Sequence, residues 1–375
     1  MFRFGIIGYG KRINAISNMA LATGECELVA IADKDTQEVK RRFPSLPAGI
    51  TYYSDAEDML KSEHLDGVMI GTRCSSHTEY TVLVAKYGLP LFLEKPVCTT
   101  YEDLERLKGL TNMEEKTVVS FPLRTASIVE RVKEIVLSDR IGELSQIQVY
   151  NNVHYGARYY HKWYRDVEET GGMFLQKATH DLDYVSYVTG LSPLCVCAMK
   201  SKKIFGGKRP AGLRCKDCPE HESCPEFSFV EGCKNDIEVY DYCSFSEDVG
   251  IEDCGSIILE YETGVQGVYS QSFVTRHGAK KRGARFIGYK GTVEFDFYTG
   301  KITVYDHMND TSETINVENG GSHFGGDKFL VNSFIEVMKH GTPSASPLSG
   351  GIISAETCLA ARKSSEEHVF VKIEN

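Results

Sequence analysis

What is scarce in this chain removes several classes of protein. It has 375 residues and a formal net charge of −10. No basic run with interleaved aromatics occurs, which argues against a nucleic-acid partner. No uninterrupted apolar run reaches about 18 residues, so no membrane-spanning helix and no membrane partner are expected. The N-terminus enters an apolar strand with no charged-then-apolar leader, and the expected location is the cytoplasm. No repeat and no low-complexity tract stands out, and tryptophan occurs once, at Trp163. Cysteine runs the other way, with 12 residues. Cys26, Cys74, Cys98 and Cys358 are scattered and read as small buried or half-buried residues. The others crowd into Cys195–Cys254 and need their own explanation. The length exceeds what one core usually holds, so two domains are expected.

The first 33 residues read as strand, phosphate loop, helix, strand, acid. Phe2 to Ile7 is apolar, Gly8-Tyr9-Gly10-Lys11-Arg12-Ile13 follows, a helix pattern runs to Ala22, and a second apolar strand, Glu27 to Ala32, ends at Asp33. A dinucleotide needs this order. Gly8 permits the tight turn, and Gly10 lets the backbone approach a pyrophosphate at a helix N-terminus. Asp33 can bond both hydroxyls of an adenosine ribose and repels a 2′-phosphate, so NAD is expected rather than NADP. The third glycine of the usual pattern is missing, and Ile13 stands there. Arg12 and Lys11 are placed to contact phosphate, although Lys11 is equally well read as a solvated helix start.

The first domain is expected over residues 1–122. Strand patterns at 2–7, 27–32, 66–70, 90–93 and 117–121 alternate with helix patterns near 11–22, 55–61, 75–87 and 100–110. Such alternation builds a parallel, doubly wound sheet whose strand ends face one crevice. Loops expected there carry Thr72 with His77, then Glu94-Lys95-Pro96, then Phe121 to Arg124. Residues 123–375 form the second expected domain. After a helix at 127–137, β-like segments at 144–153, 194–204, 256–262, 266–273, 285–288 and 292–297 suggest an open, mainly antiparallel sheet. Helices near 173–189 and 327–339 are expected to pack on it.

Three places could carry chemistry. Lys95, directly after a strand, could polarise a hydroxyl or carbonyl or join a proton transfer; the plain alternative is a surface lysine on a turn. In Gly171 to Asp183, Gln176, Lys177 and His180 lie on a strongly apolar helix, with His180 three residues from Lys177 and four from Gln176. Buried polar groups there need partners or a cavity, and His180 could take a substrate proton. The alternative is a core histidine satisfied by hydrogen bonds. Tyr155, Tyr159 and Trp163 belong to a stretch of aromatics and bases that suits a carbohydrate, or equally an aromatic cluster under a loop.

These residues resemble the glucose–fructose oxidoreductase / inositol dehydrogenase (Gfo/Idh/MocA) family. The shared marks are Gly8-x-Gly10, Asp33, Gly71-Thr72 with His77, Glu94-Lys95-Pro96, the Gly171-Gly172…His180…Asp183 run, and an ending with Pro343, Gly350, Ser354-Ala355-Glu356 and Ala360-Ala361. The resemblance implies a Rossmann domain joined to an α/β domain with an open sheet. It implies NAD(P)-dependent hydride transfer at a secondary alcohol or ketone of a sugar, sugar derivative or cyclitol, and a homo-oligomer (dimer or tetramer) built on that sheet. By position, Lys95 would contact the reacting hydroxyl, His180 would be the acid/base, and Arg124 would line the site near the nicotinamide. Gln176 stands where members often carry aspartate. It cannot share a proton with the histidine, so proton transfer could fall to Lys177, to Lys95, or to His180 with Asp181 or Asp183 nearby. Gln176 also leaves open glycoside cleavage by a resident-NAD cycle of oxidation, elimination, hydration and reduction. A non-catalytic NAD sensor or scaffold is the third class.

The cysteine-rich insert spans about 205–245. Cys215-Lys216-Asp217-Cys218 is a good half-site for a tetrahedral metal, followed by Cys224, Cys233 and Cys243. A related subgroup places a cysteine in an Asp-x-Cys-x-Phe setting, as Cys243 is here. A structural zinc on Cys215, Cys218, Cys224 and Cys243 is expected, with Cys233 as alternate fourth ligand and His221 as competitor. Reduced thiols are the main alternative, with disulfides or an iron–sulfur cluster behind; a stable disulfide is disfavoured in a reducing compartment.

Overall fold

A computed structural model describes residues 1–375 apart from 228–241, 319 and 375. Two compact units are present. One comprises 1–130, 182–184 and 319–356; the other comprises 131–181, 185–318 and 357–375.

The first unit opens with β1 (Phe2–Ile7), α1 (Lys11–Ala22), β2 (Cys26–Ala32), α2 (Thr36–Arg42), β3 (Thr51–Tyr53), α3 (Ala56–Ser62) and β4 (Gly67–Ile70). It continues with α4 (His77–Ala85), β5 (Leu91–Leu93), α5 (Tyr101–Lys108), β6 (Thr117–Val119) and the start of α6 (Ser127–Leu137). The six strands lie in the order β3-β2-β1-β4-β5-β6, and all pairs are parallel. Such a sheet is covered on both faces, which is why β4, β5 and β6 are buried throughout rather than alternating. Strand order reverses between β1 and β4, so the loops after those strands open the crevice where ligands of such sheets bind. Two elements escape the sequence reading. α2 is a short polar helix capped by Asp35, and β3 has three residues, too few to show a period.

The second unit contains β7 (Leu144–Asn152), a short α7 (Val167–Thr170), a π turn (Phe174–Ala178), most of α8 (Thr179–Thr189) and β8 (Pro193–Ser201). Then come β9 (Cys254–Tyr261), β10 (Gln266–Ser272), β11 (Lys281–Gly288), β12 (Gly291–Asp296), β13 (Lys301–Asp306) and β14 (Thr311–Asn316). They form a nine-stranded sheet ordered β14-β13-β12-β11-β7-β10-β9-β8-β15, where β15 is Val371–Lys372. Only β10 and β7 pair in parallel. β9 alternates buried and exposed along its length, the mark of a sheet with one packed and one solvated face. Gly255 keeps the packed face open, because a Cβ there would lie 2.6 Å from the Phe174 ring.

Two further helices follow, α9 (Gly326–His340) and α10 (Leu348–Glu367). α9 was expected on the second sheet, and the structure corrects this. Leu330, Val331, Phe334 and Ile335 share the first unit's core with Phe4, Ile6, Met69, Phe92 and Val118. An amphipathic stripe fixes that a helix buries one face; it does not say which sheet receives it. No helix among the described residues is long and apolar enough to cross a membrane.

Candidate active site

The turn between β1 and α1 is built as a dinucleotide requires. Gly8 has φ +77°, and a Cβ there would come within 2.4 Å of Thr72 Cγ2. Nothing lies within 4 Å of a Cβ placed on Gly10, so a ligand has room to approach this backbone. Asp33 Oδ2 accepts a hydrogen bond from Tyr9 N at 2.8 Å, and Oδ1 accepts from Asp35 N at 2.9 Å. A carboxylate has about four acceptor positions, so Asp33 braces the turn and keeps capacity for ribose hydroxyls. The residues present therefore fit the dinucleotide.

The missing third glycine has a structural answer. In the usual pattern it lets helix and strand approach closely. Here Ile13 faces Gly71, and a Cβ on Gly71 would lie 2.6 Å from Ile13 Cβ.

Arg12 does not stand free at the turn. Its Nε donates to Glu94 Oε1 at 2.9 Å, its Nη2 to Asp327 Oδ1 at 2.6 Å and its Nη1 to Asp327 Oδ2 at 2.9 Å. Ser120 Oγ also donates to Glu94 Oε1, at 3.0 Å. Burial disfavours the Arg12 charge, but Glu94 and Asp327 more than restore it and raise its pKa. Burial likewise opposes the Asp327 charge, and His323 and Arg12 override it, holding the carboxyl well below the usual range. Lys11 is exposed at the first position of α1.

Lys95 is half-buried directly after β5, at a cis peptide to Pro96. His77 ties this segment to the Thr72 loop. Its Nδ1 lies 2.7 Å from the Pro96 carbonyl oxygen and its Nε2 3.3 Å from that of Thr72. Burial lowers the His77 pKa. Arg124 is buried and paired through two nitrogens with Asp183; Nε to Oδ2 is 3.0 Å. Burial pushes the Asp183 carboxyl up against the pull of Arg124.

In the second unit, the segment bearing Gln176, Lys177 and His180 begins as a π turn and becomes α-helical at Thr179. All three side chains are buried. A π turn is wider than an α turn and often marks a functional site, so the α-helical face expected from spacing alone does not apply to Lys177. The turn is anchored by buried Glu252, whose Oε1 accepts from Met173 N at 2.9 Å and Phe174 N at 3.1 Å. Burial raises the Glu252 pKa. Lys177 Nζ donates to Tyr155 Oη at 3.0 Å and lies 4.9 Å from the ring centres of both Tyr155 and Tyr159. Asp181 accepts three hydrogen bonds: Arg282 Nε donates at 2.8 Å, Asn151 Nδ2 at 2.7 Å and Tyr269 Oη at 3.2 Å.

The aromatic stretch divides by residue. Tyr160 is fully buried and stacks on Phe205 at 4.2 Å in a satellite core. Tyr155, Tyr159 and Trp163 keep partial exposure, and Trp163 stacks on Tyr164 at 3.9 Å. Sequence spacing missed Asp327, Glu252 and Arg282, which lie far along the chain from the groups they hold. Only the apolar run at Met173 to Leu175, where the turn begins, hinted that its first amides needed an acceptor.

The zinc expectation gains no support. Among the described residues no group of three or more His, Cys, Asp or Glu side chains is placed to hold a metal ion. Cys233 lies outside the described residues. Cys215, Cys218, Cys224 and Cys243 are free thiols, and two have partners of their own. Arg209 Nη1 lies 2.7 Å from Cys218 Sγ, and Cys215 Sγ donates to the Tyr242 carbonyl at 3.3 Å. Burial, then the neighbouring thiols of Cys243, Cys224 and Cys218, push Cys215 up to about 12. His221 turns its Nδ1 to the Cys218 carbonyl at 2.7 Å.

Comparison with known proteins converges on the same class. Residues 2–121 match an oxidoreductase family with an NAD-binding Rossmann fold, and residues 129–294 match the GFO/IDH/MocA C-terminal domain. Together they define an NAD-binding oxidoreductase, and the chain belongs to the Gfo/Idh/MocA family. YteT of Bacillus subtilis, assigned as an oxidoreductase, is 27% identical, with 81% of each chain covered. The myo-inositol 2-dehydrogenase of Thermotoga maritima is 23% identical, covering 99% of this chain and 98% of its own. In fold, the chain is similar to levoglucosan dehydrogenase solved with NADH and levoglucosan, with TM-score 0.78, 17% identity and full coverage of both chains. The Lactobacillus plantarum myo-inositol 2-dehydrogenase gives TM-score 0.73 at 17% identity, covering 100% and 99%.

Proposed function

We propose that this oxidoreductase is an NAD(H)-dependent dehydrogenase acting on a secondary alcohol or ketone of a sugar, sugar derivative or cyclitol. The observation that carries the cofactor half is the braced Gly8–Gly10 turn with Asp33 beside it. A carboxylate there favours NAD over NADP. The dinucleotide, when bound, supplies the hydride acceptor or donor. The chain's own residues do the rest. Gly10 and the first amides of α1 bind the pyrophosphate, with Arg12 fixing the turn through Glu94 and Asp327. Thr72 and His77 hold the neighbouring loop. Lys95 polarises the reacting oxygen, and the proton is handled by the turn bearing Lys177 and His180. Tyr155, Tyr159, Trp163 and Gln176 present the mix of ring faces and hydrogen-bonding groups that suits a polyol, and the relatives' names support that class. Arg124, paired with Asp183, supports the site as a fixed charge.

The test mixes purified protein and NAD⁺ with sugars, glycosides and inositols and follows NADH absorbance together with substrate loss. NADH build-up with one compound supports the dehydrogenase. Substrate loss without NADH build-up supports instead a resident-cofactor cycle that cleaves glycosides, the reading Gln176 leaves open. We also propose that a second copy covers the solvated face of the large sheet. There Ile258 (54% exposed) and Val268 (40%) lie directly opposite each other on β9 and β10, an apolar patch suited to an interface. Light scattering that finds only monomers would remove this.

A further inference from the structure

The dehydrogenase reading leaves one juxtaposition unused. Tyr155, three residues beyond β7, has its hydroxyl 3.0 Å from Lys177 Nζ. Lys177 is buried and meets no carboxylate among the described residues; its charge rests on this phenol and on the faces of Tyr155 and Tyr159. The other titratable and charged groups facing Tyr155 come from several elements. Arg282 reaches it from β11, and His154 packs edge-on at 5.1 Å between ring centres. Tyr298 lies beyond β12, and Tyr159 hydrogen-bonds it from its own loop. Arg282 is also bound by Asp181 at 2.8 Å, and Lys177, hydrogen-bonded to the phenol, is the stronger of the two cations acting on Tyr155.

We propose that Tyr155 is the acid–base residue of this dehydrogenase, with Lys177 holding its phenolate and Tyr159 serving as the neutral phenol beside it. This rests on the dehydrogenase reading above and moves the proton from the turn bearing Lys177 and His180 to the phenol that Lys177 holds. In oxidation, the Tyr155 phenolate oxygen takes the proton of the substrate hydroxyl. The O–H electron pair closes the carbonyl, and the carbinol hydrogen leaves with its electron pair to an oxidised nicotinamide dinucleotide. The products are ketone, reduced nicotinamide and neutral Tyr155; reduction runs the same steps backwards. Gln176, which cannot exchange a proton, then needs no replacement carboxylate. Electrostatics agree with the geometry. Burial alone would raise Tyr155, but Lys177 and then Arg282 outweigh it and bring the phenol down to about 8. Burial and Tyr155 itself keep Tyr159 well above the ordinary value.

The experiment needs no substrate to begin. Tyrosines isotope-labelled at Cζ are titrated by NMR, and Tyr155 is the resonance missing from Tyr155→Phe. Tyr155 is expected to titrate below the other tyrosines. Lys177→Met should return it to about 10 or above, while Lys177→Arg should keep it low. Titration with the other tyrosines, or no response to Lys177→Met, overturns the pair. The second arm measures kcat against pH with NAD⁺ and myo-inositol or levoglucosan, with NADH binding as the check on folding. Tyr155→Phe should lose about 10²–10⁴-fold in kcat and keep NADH binding; an unchanged rate overturns the acid–base role while leaving the dehydrogenase reading intact. A low Tyr155 titration with no polyol turned over sinks the dehydrogenase reading, and the acid–base role with it, but not the pair.

Discussion

Lys177 and Asp181 stand about one helical turn apart, and their surroundings are opposites. Asp181 is fully buried and receives a guanidinium, an amide and a phenol. Lys177 is also buried, though less completely, and its partners are one phenol oxygen and two ring faces. The first cluster has every charge answered by an opposite charge. The second places a cation against a group that gains a charge only by losing a proton. Arg12 with Asp327 and Arg124 with Asp183 belong with the first kind. Buried charge alone therefore does not mark chemistry; a buried cation without an acid does.

The widest test of that contrast is in rate. Lys177→Met and Lys95→Ala should each cost about 10²–10⁴-fold in kcat while stability stays within about 1 kcal/mol and NAD binding persists. Several kcal/mol lost from Lys177→Met in urea unfolding would place Lys177 with the structural pairs. Asp181→Ala should behave in reverse. It strands Arg282 in the interior and should cost about 3–5 kcal/mol, measured by the same unfolding. A smaller loss would mean that Asn151 and Tyr269 carry the cluster without the ion pair.

Gly71→Ala comes next, at about 1–3 kcal/mol, because its new methyl meets Ile13. Ile13→Gly, which removes the clashing Cβ of this buried side chain, should make the double variant lose less than the sum of the two single losses, and a double-mutant cycle that proves additive would separate the two positions. The smallest effect is in pH. The Asp327 carboxyl is depressed below its ordinary 3.8 by His323 and Arg12 against burial. A depressed acid contributes stability that is complete above its unfolded value and fades as pH falls through the folded one. The stability advantage of wild type over Asp327→Asn should therefore be complete above about pH 3.8 and shrink as the pH falls below it. Parallel curves throughout the acid range would deny the ion pair its role.

Much of this was legible in the sequence. β1, Gly8, Gly10, α1 and Asp33 follow from local order, since strand, turn, helix, strand and acid succeed one another within the first 33 residues. Six strands of the second sheet were visible as β-like segments, but β13 and β14 were not; β14 is the edge strand and mostly polar, and β13 beside it buries only Ile302 and Val304. Gln176, Lys177 and His180 stood out as polar residues in an apolar run. What spacing could not show was the π turn, because no residue type specifies it; Glu252, a distant carboxylate at its entry, accompanies it. The partners of Arg12 and Arg124 were hidden for a related reason. A charge pattern shows that a group must be answered, while the fold decides by which residue.

Ile13 and Gly71 carry one more lesson. The family pattern is written as a requirement on a single helix position, yet this chain meets it from Gly71, the residue just after β4. What is limited there is the combined volume of two side chains, and either partner can supply the small one. A search that reads the two positions as a joint allowance would keep chains such as this one, where a glycine count along the loop alone would discard them.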